Sequence, residues 1–272
     1  MVQITKNVFS RRNRILLSEM VRADFKLRYQ NSVLGYLWSL LKPLMLFAIL
    51  YVVFSRFLRL GAGVPNYALS LLLGIVLWNF FIEAVGGSLR SIVSKGSLIR
   101  KINIPRYLIP VGSIASAAIN TGLNLIVVFI FVLFGTGTAL SWVTLVFFPL
   151  LLIELILIAV AFGFFLAALY VRFRDVEHIW DVVKQALFYL VPIIYPITLI
   201  PYEIVQKIIL LNPLAQLLQD ARSIITYAGT PTIADLFGGH IYRLIPLGIV
   251  IVGLVLSSAY FRKNSKYFAE EI

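Results

Sequence analysis

Apolar and polar positions in this chain fall into long alternating blocks. Six blocks are apolar almost throughout, at 36–57, 67–92, 107–134, 142–171, 179–200 and 243–261. Each is close to or above the roughly 20 residues that a helix needs to cross a hydrocarbon core. Continuous runs of this length do not fit membrane β-strands, which alternate in pieces of about ten residues. The pattern predicts an all-α integral membrane protein with six transmembrane helices, 36–261, between a 1–35 N-terminal region and a 262–272 tail.

Two other segments carry a different pattern. Residues 14–30, "RILLSEMVRADFKLRYQ", put Ser18, Glu19, Arg22 and Lys26 on one stripe and Leu16, Met20, Ala23 and Leu27 on another, the spacing of an amphipathic helix lying in the interface. Asp24 and Arg28 stand four apart and can pair. Between the fifth and sixth blocks, residues 201–240 hold two apolar pieces too short to cross, divided at Asn212-Pro213. Proline lacks a backbone donor and disfavours helix in the residue before it. Irregular backbone survives at membrane depth only inside protein or beside water, so a pair of re-entrant helices is expected, with a small external cap as the alternative.

Charge then orients the blocks. Of the 24 Lys and Arg residues, eighteen fall in 1–35, 90–107, 172–184 and the tail. The positive-inside rule places those segments, and both termini, in the cytoplasm. The formal charge of +12 raises nucleic acid as a partner, but the basic residues sit in short gaps between apolar blocks and form no surface stripe. Nor does "MVQITKNVFSRRNR" carry an apolar core followed by a cleavage site, so no removable signal peptide is expected.

Candidate chemistry is sparse. Without cysteine and with only His178 and His240, thiol and metal catalysis lack ligands, and no metal site is expected. No GxxxxGK[ST] loop occurs, so the chain is not expected to hydrolyse ATP. Glu83 and Glu154 lie inside apolar blocks, where acids are functional by default. A proton-coupled carrier would use them, and so would structural hydrogen bonding to a neighbouring helix. Lys42, before Pro43 in the first block, can snorkel to the interface.

Four stretches carry a resemblance. "KLRYQNSVLGYLWSLLKPL" (26–44), "RKINIPRYLIP" (100–110), "VRFRDVEHIW" followed by "VPIIYPITLIP" (171–180 and 191–201) and "LNPLAQLLQDAR" (211–222) resemble, in order and spacing, the permease subunit of type-2 ABC exporters for cell-surface polysaccharides. That family carries O antigens, capsular chains, teichoic acids and rhamnose-rich glycans. The resemblance implies a bacterial plasma-membrane homodimer working with two copies of a separate ATPase, which holds the ATP and Mg. It implies a glycan cargo on an undecaprenyl diphosphate or similar lipid, and no cofactor on this chain. It makes 94–107 a coupling helix docked on the ATPase, with Ile99, Ile102 and Ile104 filling a pocket, Arg100, Lys101 and Arg106 at its rim and Pro105 ending the helix.

On the same reading Lys26, Arg28 and Lys42 are cations for the lipid diphosphate, and Tyr36, Trp38, Tyr51, Trp78, Phe80 and Phe81 are aromatic faces for the passing sugars. Interfacial aromatic belts predict a similar pattern. Two alternatives remain open from sequence: a type-2 exporter of a drug or small lipid, and a membrane-embedded glycosyl or acyl transferase built around Asp175, Glu177 and His178.

Overall fold

The computed structural model describes residues 10–29, 34–61, 63–101, 104–134 and 142–271. Ile102 lies outside the described residues, as do the side chains of Arg28 and Tyr36. Among the described residues there are helices and no strands.

Helix α1 (Arg11–Tyr29) is followed by α2 (Trp38–Leu50), which runs on as a π-helical segment Tyr51–Phe57. Then come α3 (Tyr67–Ser94), the short α4 (Gly96–Lys101), α5 (Leu108–Phe134) and α6 (Trp142–Arg172). The second half holds α7 (Val176–Leu190), α8 (Glu203–Leu210), α9 (Pro213–Ile225), α10 (Ile233–Phe237), α11 (Leu244–Asn264) and α12 (Phe268–Glu271).

Among the described residues five helices are long and apolar enough to cross a membrane, and they match five of the six blocks to within a few residues. The 179–200 block differs. It is not one helix: α7 ends at Leu190, and Val191 takes an extended conformation. Pro192 explains the break, because its ring disfavours helix at the preceding residue. At 1.5 Å per residue the 15-residue α7 is about 22 Å long.

Asn212-Pro213 separates α8 from α9, as its chemistry dictates. The Asn212 side chain accepts from the Leu214 N–H at 3.0 Å, and Pro213 takes the first turn, where no donor is needed. Neither α8 nor α9 is long enough to cross. Helix α9 is buried along most of its length, packed against α6, α3 and α11.

Helix α3 is the axis of the bundle, lying against α5 on one side and α6 on the other. Its inner residues, from Leu71 to Leu89, anchor the main apolar cluster. A second cluster closes the other end of the bundle. There Met20 of α1, Ile92, Ile109, Phe261 and Phe268 pack together, with Ile99 half-buried against them. Helix α1 lies along α5. Its polar stripe of Ser18, Glu19, Arg22 and Lys26 is exposed, while Met20 turns inward. Asp24 bonds Lys95 at 3.0 Å, a partner from another helix end; the side chain of Arg28, its expected partner, lies outside the described residues.

Candidate functional site

A cleft of about 540 Å³ opens between α2, α3 and α5. Trp38, Lys42, Phe80, Glu83, Asn120 and Asn124 line it. Helical spacing explains the convergence: Asn79 and Glu83 stand one turn apart on α3, and Asn120 and Asn124 one turn apart on α5. Asn120 donates from Nδ2 to Glu83 Oε2 at 2.7 Å. Asn124 donates to the backbone carbonyls of Asn120, at 2.9 Å, and of Ser39 in α2, at 3.2 Å. Three helices are therefore stitched together by amides at the wall of the cleft.

Of the six aromatic residues expected to form one path, the five whose side chains are described do not share one surface. Trp38 and Phe80 line the cleft. Tyr51 stacks on Phe47 at 5.8 Å between ring centres. Trp78 and Phe81 belong to a packing cluster with Phe162 of α6 and with Trp180 and Phe188 of α7, with centroid separations of 5.5–6.0 Å. Phe81 is fully buried. Edge-to-face contacts of this kind hold helices together.

Of the expected cations, Arg28 has its side chain outside the described residues. Lys26 is exposed on α1, and Lys42 sits at the cleft. Among the described residues of the segment expected to form one helix over 94–107, Gly96–Lys101 is a separate short helix and Ile104 and Pro105 are not helical. Lys95, the residue after α3, leaves the α-helical region (φ −104°, ψ 21°). Arg100 and Lys101 are exposed, but Ile104 is buried within this chain. Arg106 donates to the Ser265 carbonyl of the C-terminal segment. Of the apolar side chains expected to face a partner, Ile99 packs against the chain's own second cluster and Ile104 is buried.

Asp175, Glu177 and His178 do not converge as an acid site. Glu177 accepts from Tyr170 Oη at 2.8 Å and from Arg90 Nε at 2.6 Å. The Tyr170 hydrogen bond, helped by Arg90, holds the Glu177 carboxyl below its ordinary range, the wrong direction for a general acid at neutral pH. No group of three His, Cys, Asp or Glu that could hold a metal exists among the described residues.

At the α9 end lies an arginine cradle. Arg222, 5% exposed, donates to the carbonyls of Pro192 (2.6 Å), Ile193 (2.6 Å) and Ser70 (3.2 Å) and to Gln219 Oε1 (3.2 Å). The break after α7 frees buried carbonyls, and one guanidinium satisfies two of them. Tyr67 Oη donates to the Ile194 carbonyl at 2.5 Å, and Asn66 Nδ2 to that of Thr226 at 2.9 Å. Beside Arg222, Asp220 accepts from Gln216 (2.5 Å) and Arg243 (3.1 Å). Glu154 of α6 lies within electrostatic reach of Asp220.

The model of the ABC-2 type transporter family matches residues 16–226, from α1 to just beyond α9. The chain belongs to the ABC-2 type transporter family. Two O-antigen export system permease proteins RfbA of Klebsiella pneumoniae are 33% and 31% identical to it over 211 residues, 77% of this chain and 79% of theirs. The O-antigen export system permease protein RfbA of Myxococcus xanthus is 26% identical over the full length of both chains. This ABC-2 chain is a multi-pass membrane protein.

Two features of the ABC-2 chain escaped the sequence reading. The paired amides of α5 carried a signal, since two asparagines four residues apart inside an apolar run point to one polar face. Arg222 stands inside "LNPLAQLLQDAR", but its carbonyl acceptors lie about 30 and 150 residues away in sequence, and no local spacing reveals them.

Proposed function

We propose that this chain is the permease subunit of an ATP-driven exporter that moves a lipid-linked cell-surface polysaccharide across the bacterial plasma membrane. One observation carries the reading above all: the end-to-end similarity to an O-antigen export permease. The aromatic and amide cleft supports it, because sugars offer both hydroxyl groups and apolar C–H faces. Two copies of this chain form the channel, and two copies of a separate ATPase, binding ATP and Mg, drive it. Both termini face the cytoplasm. Helix α7 with its broken continuation completes six passes, and α8 and α9 enter and leave from the outer side as a re-entrant pair. Helix α1 lies in the cytoplasmic interface. The α4 segment couples to the ATPase mainly through its exposed Arg100 and Lys101, and Lys26, Arg28 and Lys42 meet the diphosphate of the carrier lipid.

Deleting the gene in its own host and restoring it from a plasmid tests the function. Surface polysaccharide should vanish and return, and the tagged chain should co-purify with a nucleotide-hydrolysing subunit. Surface glycan that persists in the deletion strain, or a chain recovered with no such partner, overturns the reading.

A further inference from the structure

Helix α4 has six residues, and isolated helices shorter than about 12–15 residues are marginal in water. Its neighbours must fix it. At its start, Lys95 is held by Asp24 of α1 at 3.0 Å. Ile99, on α4 itself, packs against the second apolar cluster. Beyond its end, Arg106 donates to the Ser265 carbonyl. Ser265 is the C-cap of α11, so that carbonyl is one that a helix end leaves without an internal partner. A cation there also meets the negative end of the helix dipole. Arg106 thus ties the far side of the α4 segment to the end of α11.

After α11 the chain turns over 265–267 and continues as α12, which packs against α4 and α6. Lys266, Tyr267, Glu270 and Glu271 are exposed. Phe268, in their midst, is 0% exposed. It meets Phe261 edge to face at 5.3 Å, and Phe261 in turn stacks on Phe164 of α6 at 4.9 Å. The cluster that Phe268 enters also holds Ile92 near the end of α3 and Ile109 near the start of α5, with Ile99 of α4 against it. One large apolar side chain therefore anchors a polar segment in the cluster on which α4 rests. Truncating it would leave a cavity there.

We propose that the C-terminal segment, through Phe268 and the Ser265 carbonyl, positions α4 for docking on the ATPase. The proposal rests on the exporter reading and adds a part to its drive. Preorganisation is the reason. A surface that holds its docked shape before the partner arrives loses little freedom on binding. One that holds that shape for a fraction of the time binds more weakly by that fraction. Arg100 and Lys101 are exposed and open to a partner, whereas Ile99, Ile104 and Arg106 have contacts inside the chain. The first pair makes the contact, and the others, with Phe268, set where it is made. Phe268 is fully buried and acts on the partner only through α4, as a positioning residue.

The test uses the full-length chain, which has no cysteine of its own, carrying a nitroxide spin label on Ser97→Cys, an exposed position of α4. The binding partner is the nucleotide-hydrolysing subunit that co-purifies with the wild-type chain. In Phe268→Ala the label should pass from an ordered to a mobile spectrum. The apparent Kd for the subunit should rise about tenfold, as for an α4 that keeps its docked shape a tenth of the time. Phe268→Leu, which keeps a large apolar group, should restore most of both. Arg106→Met removes the donor to Ser265 without opening a cavity and should loosen the label too. Phe148→Ala is the control for lost stability: Phe148 is 4% exposed in the main cluster, edge to face with Phe129. It should lower the melting temperature and leave label and Kd as they were. An ordered label in both Phe268→Ala and Arg106→Met, no rescue by leucine, or equal loosening in Phe148→Ala would overturn the positioning role. A mobile label with an unchanged Kd would overturn it as well, by removing α4 from the docking surface. Loss of the exporter reading would show itself separately, as surface glycan that survives deletion of the gene.

Discussion

Helices α3 and α11 are both long apolar helices, and α11 is the more apolar by mean hydropathy. Yet 72% of the most apolar stretch of α3 is buried inside the protein, against 22% for α11. In water the order would be reversed. In lipid, apolar side chains gain nothing by leaving one oily environment for another, and close packing and hydrogen bonding decide instead. Glycines record the difference. A Cβ added at Gly74 of α3 would meet Arg222 at 3.1 Å, and one at Gly87 would meet Ser113 at 3.3 Å, whereas Gly248 and Gly253 of α11 face open space. Small and polar residues mark the helix that packs. Of these two helices, the more apolar is the one left to the lipid.

The comparison breaks most readily at Arg222. Arg222→Leu should leave the carbonyls of Ser70, Pro192 and Ile193 without their donor and free the α9 end of α3. A cost on the order of 3 kcal/mol or more is expected, read as loss of the monodisperse peak on heating in detergent. Full thermal stability in the variant would mean that the cradle does not hold α3. Next in size, Gly163→Leu on α6 should destabilise, because its Cβ would lie 2.9 Å from Ser88 Cβ and Oγ of α3. Overpacking costs about 1–3 kcal/mol. Gly248→Leu on α11 is the matched control and should change stability by less than about 0.5 kcal/mol. Equal effects from the two would erase the distinction between the helices.

Five of the spans were legible because a run of twenty apolar residues has few other uses, and the Asn-Pro break was legible because its chemistry is local. The 179–200 block is not one continuous helix, for a physical reason. Hydropathy registers lipid compatibility, and Val191 to Ile200 remains apolar after the helix ends at Leu190. What buries its carbonyls is Arg222, far away in sequence. The aromatic residues divided in the same way. Trp38 and Phe80 reach the cleft, but Phe81, beside Phe80 in sequence, points into the core, because neighbours on a helix are 100° apart. The cleft's polar residues were readable in principle as two pairs spaced by four, Asn79 with Glu83 and Asn120 with Asn124. Glu83 was noticed alone, although Asn79 one turn away shares its face.

Smaller effects sharpen the picture at the other end of α3. Asp24→Asn should loosen α1 from the end of α3 by roughly 1 kcal/mol, since the Asp24–Lys95 side chains are 23% and 21% exposed. Faster protease cleavage within α1 would report it. Arg90→Gln removes an ion pair whose arginine is mostly exposed and should cost less than about 1 kcal/mol. Its pH dependence has a definite sign. The folded Glu177 carboxyl is held low, so the pair contributes fully above the ordinary glutamate pKa of about 4.3 and fades as pH falls through the lower folded value. Stability curves of wild type and Arg90→Gln should differ at pH 7 and converge at the acid end; a constant gap across that range would assign the effect to something other than the ion pair.

The arginine cradle has a mechanical side. Its bonds, together with those of Asn66 and Tyr67, gather at the first turn of α3. From Ser70 to the end of α3 at Ser94 is a rigid arm of roughly 36 Å. A helix clamped at one tip moves as a lever: a tilt of about 10° about Ser70 would carry the Ser94 end through roughly 6 Å, about one helical pitch, while the clamped tip scarcely moves. Force applied near α4 would then be converted into opening or closing of the cleft along the arm, with the largest excursion nearest the point of application.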